Sequence, residues 1–153
     1  MRAVIQRVTS STVCIDGETV AKIGKGYNIL LGVVQGDTDN EAQVLAGKVS
    51  RLRVFEDENG KMNLGINDIN GSALVVSQFT LCADCRKGNR PSFTSSASPD
   101  EAKRMYELFC DELRKNGVED VQTGVFAADM AVSIENDGPV TIILDTDIWK
   151  AGK

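Results

Sequence analysis

The 153 residues, 42% hydrophobic and 25% charged, predict a single domain over residues 1–153. Its core should be large enough to stand without a metal or a disulfide. A net charge of −5 argues against a broad nucleic-acid-coating surface but leaves room for a local basic patch. The chain has no histidine, which excludes Ser-His-Asp and Cys-His catalysis and histidine-ligated zinc, so any base must be found elsewhere.

Residues 1–10 hold no long apolar stretch, so no secretory leader is expected. The strongest apolar run, Ile29 to Val34, is broken by Gly32 and falls far short of the ~20 residues that cross a bilayer. Cys14, Cys82, Cys85 and Cys110 are therefore expected as reduced thiols of a cytoplasmic protein with no membrane association. Residues 2–8 alternate as a strand, and residues 11–15 and 18–23 flank the hairpin dipeptide Asp16-Gly17. Residues 26–34 read as a strand buried on both faces. Thr38 and Glu41 have capping-box spacing, and Ala42, Leu45, Val49 and Leu52 recur as one helical stripe. A second hairpin signal, Asp57 to Gly60, follows Phe55, and residues 73–81 read as another buried strand.

Residues 82–97 lack periodicity and predict a long loop. Ser98-Pro99-Asp100-Glu101 opens a second helix, with Ala102, Met105, Phe109 and Leu113 on its inner face and Asn116-Gly117 at its end. Residues 119–126, 130–135 and 139–145 read as three more strands, the last two punctuated by Gly138-Pro139. Many strands and two main helices predict an α+β domain. The helices should cover one side of a largely antiparallel sheet or split β-barrel.

Four segments can carry chemistry. Cys82-x-x-Cys85 has redox or half-zinc spacing, but no helix follows to lower the thiol pKa, and unremarkable reduced cysteines fit as well. Arg86, Lys87 and Arg90 concentrate positive charge in a glycine-containing loop of an acidic chain, the pattern of a small phosphate-binding patch or of a solvated loop. Ser77-Gln78-Phe79-Thr80 ends an apolar strand with polar side chains that packing alone does not call for. Asn136 to Thr141 is a turn by composition. Before a proline the cis bond costs only about 0.5–1 kcal/mol, and such a turn can present adjacent carbonyls as a rigid acceptor pair.

Together these segments resemble the D-aminoacyl-tRNA deacylases. The matching stretches are MRAVIQRV (residues 1–8), SQFTL (77–81), GNRPSF (88–93), TGVFAADM (123–130) and NDGPVT (136–141), in order along essentially the whole chain. The resemblance implies a cytoplasmic homodimer that hydrolyses the ester between a D-amino acid and the tRNA 3′ end, and that also removes glycine from mischarged tRNA. It implies a Gly-cis-Pro motif at Gly138 and Pro139, reaching into the partner subunit's pocket. Ser77, Gln78, Phe79 and Thr80 map onto the strand lining that pocket. Phe126 and Met130 map near the side that binds adenosine, while Arg86, Lys87 and Arg90 are candidates for contacts to tRNA. No cofactor or metal is implied. Two positions depart from the family pattern: Ala127 stands where glycine is usual, and Cys82 replaces a common aromatic.

The residues suit such a reaction. An aminoacyl ester is already activated, and one preorganised oxyanion donor is worth about 2.7–4 kcal/mol. Backbone N–H groups around Gln78 and Phe79 are the expected donors. Thr80 has no evident base, so it is expected to orient water or substrate, with the ribose hydroxyl assisting. A chirality-relaxed deacylase and a non-catalytic dimeric RNA-binding protein are the alternatives.

Overall fold

The computed structural model describes residues 1–151. Strand β1 (Arg2–Ile15) is unbroken, so the segments predicted as 2–8 and 11–15 are one strand, bent by irregular register near Val8. Asp16 and Gly17, both at positive φ (50° and 80°), turn it into β2 (Glu18–Ile23), the two-residue hairpin that the sequence predicts. The first half of β1 then pairs antiparallel with β3 (Gly26–Gly32), which is buried on both faces as its apolar run requires.

Helix α1 (Asp39–Arg51) starts where Thr38 donates both its N–H and its hydroxyl to Glu41, at 2.5 and 2.6 Å. Burial works against the Glu41 carboxylate, but the Thr38 hydrogen bonds and the Lys150 ammonium outweigh it and lower the pKa to about 2. The short strands β4 (Phe55–Glu56) and β5 (Met62–Leu64) form the second predicted hairpin. Strand β6 (Ser72–Ser77) runs parallel to β3 and ends in a 3-10 turn, Phe79–Cys82. Helix α2 (Pro99–Lys115) is capped by the Ser98 hydroxyl and leads to β7 (Val121–Thr123), which is parallel to β6.

Strand β8 (Ala131–Asp145) lies antiparallel along the other edge of β1, and α3 (Thr146–Ala151) follows it. The six-stranded sheet has the order β2-β1-β3-β6-β7, with β8 on the free side of β1. It is mixed because β3–β6 and β6–β7 are parallel, and each parallel step uses a helix as its crossover. The result is an α+β fold in which a curved, nearly closed sheet carries α1 and α2 on one face.

The apolar residues divide into two clusters. Ile5, Ile29, Leu31 and Val75 meet Leu45, Val49, Met105 and Phe109 on the helix side. On the concave side Val8, Val13, Ile23, Leu74 and Val76 pack with Met130, Val132 and Ile134. The stripes predicted on α1 and α2 all face the first cluster, with Leu52 at its edge.

Two strand predictions are corrected. Residues 119–126 give only the three-residue β7, because the chain leaves the sheet at Gly124 and follows a loop in which Ala127 has φ 65°. Residues 130–135 and 139–145 belong to one strand. Gly138-Pro139 does not separate two strands but sits in an excursion, since the ladder passes from Asn136 (opposite Val8) directly to Thr141 (opposite Gln6).

Candidate active site

A cavity of about 610 Å³ opens where the two apolar clusters meet. One wall is built from Ser77, Gln78, Phe79 and Phe93; the facing wall comes from the loop after β7, Phe126 to Met130. Val76 lies between them, and Ala97 and Ala102 close the helix side. Of the predicted site residues, Ser77, Gln78, Phe79, Phe126 and Met130 therefore line one cavity. Thr80, Gly138, Pro139, Arg86, Lys87 and Arg90 do not line it.

The first wall follows from how β6 ends. Only Ser77 belongs to the strand; Gln78 leaves it, and Phe79 begins the 3-10 turn. This corrects the expectation that all four polar-tract residues finish a strand. The turn can lie close over β3 because Gly32 has no side chain: a Cβ there would stand 3.0 Å from the Leu81 Cβ and 3.2 Å from the Gln78 carbonyl. Arg2 Nη1 holds the Leu81 carbonyl at 2.9 Å and the Ser95 hydroxyl holds that of Cys82 at 2.9 Å, so the turn is fastened at its far end.

Hydrogen bonding separates the two expected backbone donors. The Gln78 N–H is consumed by the Leu31 carbonyl at 2.8 Å, so it is not available to a ligand. The Phe79 N–H, first in the 3-10 turn, has no acceptor among the described residues. The expected donor pair is therefore reduced to Phe79. Thr80 is exposed, and its Oγ1 accepts from Gln78 Nε2 at 2.6 Å. An amide is not a base, so nothing here activates the hydroxyl as a nucleophile.

In the facing wall, Met130 folds back onto Gly124, where an added Cβ would stand 2.5 Å from the Met130 sulfur. Phe126 rests against Tyr106 of α2, with ring centroids 6.2 Å apart, and the Tyr106 hydroxyl donates to the Val75 carbonyl at 3.0 Å. Tyr106 thus ties the helix, the sheet and the cavity wall together. It was missed as a supporting residue because in sequence it is only one more apolar position on α2.

The excursion at residues 137–140 lies on β8, outside the cavity. Gly138 and Pro139 are exposed, and the peptide bond between them is cis. Beneath the excursion is Arg7, only 5% exposed. Its Nε donates to the Asp137 carbonyl at 3.0 Å and pairs with the Asp137 carboxylate at 3.2 Å, while Nη1 donates to the Val54 carbonyl at 2.6 Å. Asn136 Nδ2 bridges the Arg7 and Val140 carbonyls at 3.0 and 3.1 Å. Arg7 was also missed. Its only signal was a cation among apolar positions of a strand, and its partners lie 47 and 130 residues away.

The basic loop is not uniform. Arg86 is held by the Asp84 carboxylate through two hydrogen bonds, at 2.9 and 2.7 Å, which hold the Asp84 pKa at about 2. Lys87 and Arg90 have no acidic partner among the described residues. Two of the thiols are made less reactive by burial, which raises the pKa of Cys82 and pushes that of Cys110 up to about 12. Among the described residues no three Cys, Asp or Glu side chains converge as metal ligands, and no helix is long and apolar enough to cross a membrane.

A sequence model of the family described as D-Tyr-tRNA(Tyr) deacylase matches residues 4–145. The chain belongs to that family. A D-aminoacyl-tRNA deacylase of Geobacter sulfurreducens is 55% identical over 146 residues, covering 95% of each chain. One from Persephonella marina is 56% identical, covering 95% of this chain and 98% of its own. A solved structure of a c-Myc DNA unwinding element binding protein superposes with a TM-score of 0.90 at 43% identity, over 95% of this chain and 98% of the other. Another, described as "a probable eukaryotic D-amino acid tRNA deacylase", gives a TM-score of 0.79 at 17% identity, a likeness of fold alone. The family match includes the cavity walls, the basic loop and the excursion on β8.

Proposed function

We propose that this chain is a hydrolase that cleaves the ester between a D-amino acid and the 3′ end of tRNA, releasing both, and that it works as a homodimer in the cytoplasm. The observation that carries the reading is the family match over residues 4–145. The terminal adenosine enters the cavity against Phe126 and Met130. The ester carbonyl lies toward the Phe79 N–H, whose unused donor stabilises the developing oxyanion, a contribution of about 2.7–4 kcal/mol. The attacking water is oriented by Thr80 and Gln78 with help from the ribose hydroxyl, and Ser77 lines the floor beside them. No acyl-enzyme forms: Thr80→Ala should keep most of the rate, and an acyl group trapped on Thr80 would overturn this step.

Handedness is read by the partner subunit. Gly138 and Pro139 are exposed and lie outside their own cavity, which supports their use in a second copy's site. There their carbonyls accept from the substrate's α-ammonium. With amine and ester both fixed, an L side chain is driven into the wall, while a D side chain of any kind passes. Glycine, without a side chain, passes as well, so glycine mischarged on tRNA(Ala) is a further substrate. Each factor of ten in this selection is 1.4 kcal/mol, which steric exclusion supplies more readily than one attractive contact. Lys87 and Arg90, with Arg86 behind them, face the phosphates of the tRNA.

The deciding experiment compares release of tyrosine from D- and L-tyrosyl-tRNA. Fast hydrolysis of the D ester alone is expected; equal rates would leave a chirality-relaxed deacylase. A second reading, nucleic-acid binding without hydrolysis, is favoured by the unpaired Lys87 and Arg90 and by the description of one close structural neighbour as a DNA unwinding element binding protein. Binding of tRNA with no release from either ester would establish it.

A further inference from the structure

Phe79 and Phe93 meet at the rim of the cavity with ring centroids 5.2 Å apart and planes at 71°. Neither belongs to the two apolar clusters, and Phe79 is 55% exposed. A ring left so open is not explained by core packing. In an edge-to-face pair, the ring that offers its edge keeps both faces clear of its partner. The backbone that carries each ring is fixed by hydrogen bonds. Phe79 opens the 3-10 turn, and Phe93 follows the Asp84–Ser92 bridge, whose two backbone hydrogen bonds are 2.7 and 3.0 Å. That bridge spans the loop carrying Lys87 and Arg90, and Arg90 lies three residues before Phe93. An exposed Phe79 ring paired with the half-buried Phe93, near in sequence to unpaired cations on an acidic chain, forms the kind of platform used for single-stranded nucleic acid, where each base stacks and the backbone follows positive charge.

The cavity, about 610 Å³, is sized for one drug-like ligand. A terminal nucleoside with its acyl group fills such a space, so the preceding nucleotide must leave across the rim. We propose that Phe79 and Phe93 form a stacking subsite for the nucleotide that precedes the terminal adenosine, with Lys87 and Arg90 against its phosphates. This rests on the deacylase reading and extends it from the ester to the single-stranded end that carries it. Stacking accepts any base, so the subsite adds affinity for the strand without selecting among tRNAs.

The test uses the full chain and two D-tyrosyl esters, one of adenosine alone and one of the trinucleotide CCA. The kcat/KM for the trinucleotide should exceed that for adenosine by about tenfold, one stacked base's worth. Phe93→Leu should bring this ratio close to one, and Phe93→Trp should restore it. Equal kcat/KM on the two esters in the unaltered protein, which requires no variant to fold, would overturn the subsite. So would a ratio unchanged by Phe93→Leu. A Phe93→Leu loss seen with D-tyrosyl but not D-alanyl esters would also overturn it, assigning the pair to the amino acid's side chain. Hydrolysis of neither ester would remove the deacylase reading and the subsite with it, a result distinct from equal hydrolysis.

Discussion

The turn at residues 77–82, which begins in the cavity wall, and the excursion at residues 137–140 are both fixed through backbone contacts, but only the first borders the cavity. The first is fastened by its own neighbours: Leu31 takes the Gln78 N–H, and Arg2 and Ser95 take the carbonyls of Leu81 and Cys82. That leaves the Phe79 N–H without an acceptor among the described residues, at a residue that lines the cavity. The second is fastened from beneath by Arg7 and Asn136 and leaves Gly138 and Pro139 exposed and outside that cavity. A free donor in a cavity wall suits chemistry on a captured ester. An exposed segment outside that cavity is free to act on another molecule. The contrast is the physical basis for dividing the proposed site between two copies.

The inward half can be broken most sharply by removing its one donor. Phe79→Pro deletes an N–H that has no protein acceptor, at a first-turn position where proline is tolerated. Gln78 already has φ −142° and ψ 83°, outside the helical region that a following proline forbids. We expect kcat for D-tyrosyl-tRNA to fall by about a hundred- to a thousandfold. Phe79→Ala is the control for the ring; a drop no larger than that control's would show that the N–H is not the oxyanion donor.

The outward half has a different signature. A Cβ at Gly138 would stand 2.6 Å from Asn136 Oδ1, and Asn136 is committed to the Arg7 and Val140 carbonyls. Gly138→Ala should therefore shift the excursion and lower activity about a hundredfold, the scale of a misplacement near 1 Å. Ser77→Phe should fill the cavity and abolish activity separately. Co-expressed, the two variants should recover about a quarter of the normal rate, because half of the dimers are mixed and each mixed dimer has one intact site. Absence of recovery would break the division between copies.

Arg7→Lys sharpens the comparison with a smaller effect. Lysine keeps the charge but cannot reach the Val54 and Asp137 carbonyls at once with a planar fork. We expect about 1–3 kcal/mol of lost stability from a carbonyl left unsatisfied. The ratio of D to L hydrolysis should also fall by about tenfold. A stability loss with an unchanged ratio would make Arg7 purely structural rather than a positioning residue.

The same contrast explains what was legible beforehand. The helices could be read because their signals are local: Thr38 with Glu41, Ser98 with Pro99, and apolar stripes that find the core wherever it lies. The Asp16-Gly17 hairpin is likewise set by two residues. What escaped is governed by distant partners. The Gln78 N–H is lost to Leu31, 47 residues earlier in the chain, and Arg7 is held by the Val54 and Asp137 carbonyls, 47 and 130 residues away. Gly138-Pro139 looked like a boundary between strands because proline cannot donate to a ladder. The strand instead carries on past it by leaving four residues out of register, which no local pattern records.

The smallest effect is expected at Ala127, in the cavity wall opposite Phe79. Its φ of 65° lies in the left-handed region, which costs a residue with a Cβ roughly 1–2 kcal/mol. Ala127→Gly removes that strain but frees the unfolded chain, a loss of about 0.4–1 kcal/mol. The two terms partly offset, so stability should rise by about 0–1.6 kcal/mol, a shift in Tm of no more than about 6 °C. Because Ala127 lines the cavity, the variant should widen it slightly and raise KM without disturbing the Phe79 donor. A Tm drop well beyond that range would show that the Ala127 methyl is packed rather than strained, and that this wall, like the excursion on β8, is held by contacts its sequence does not announce.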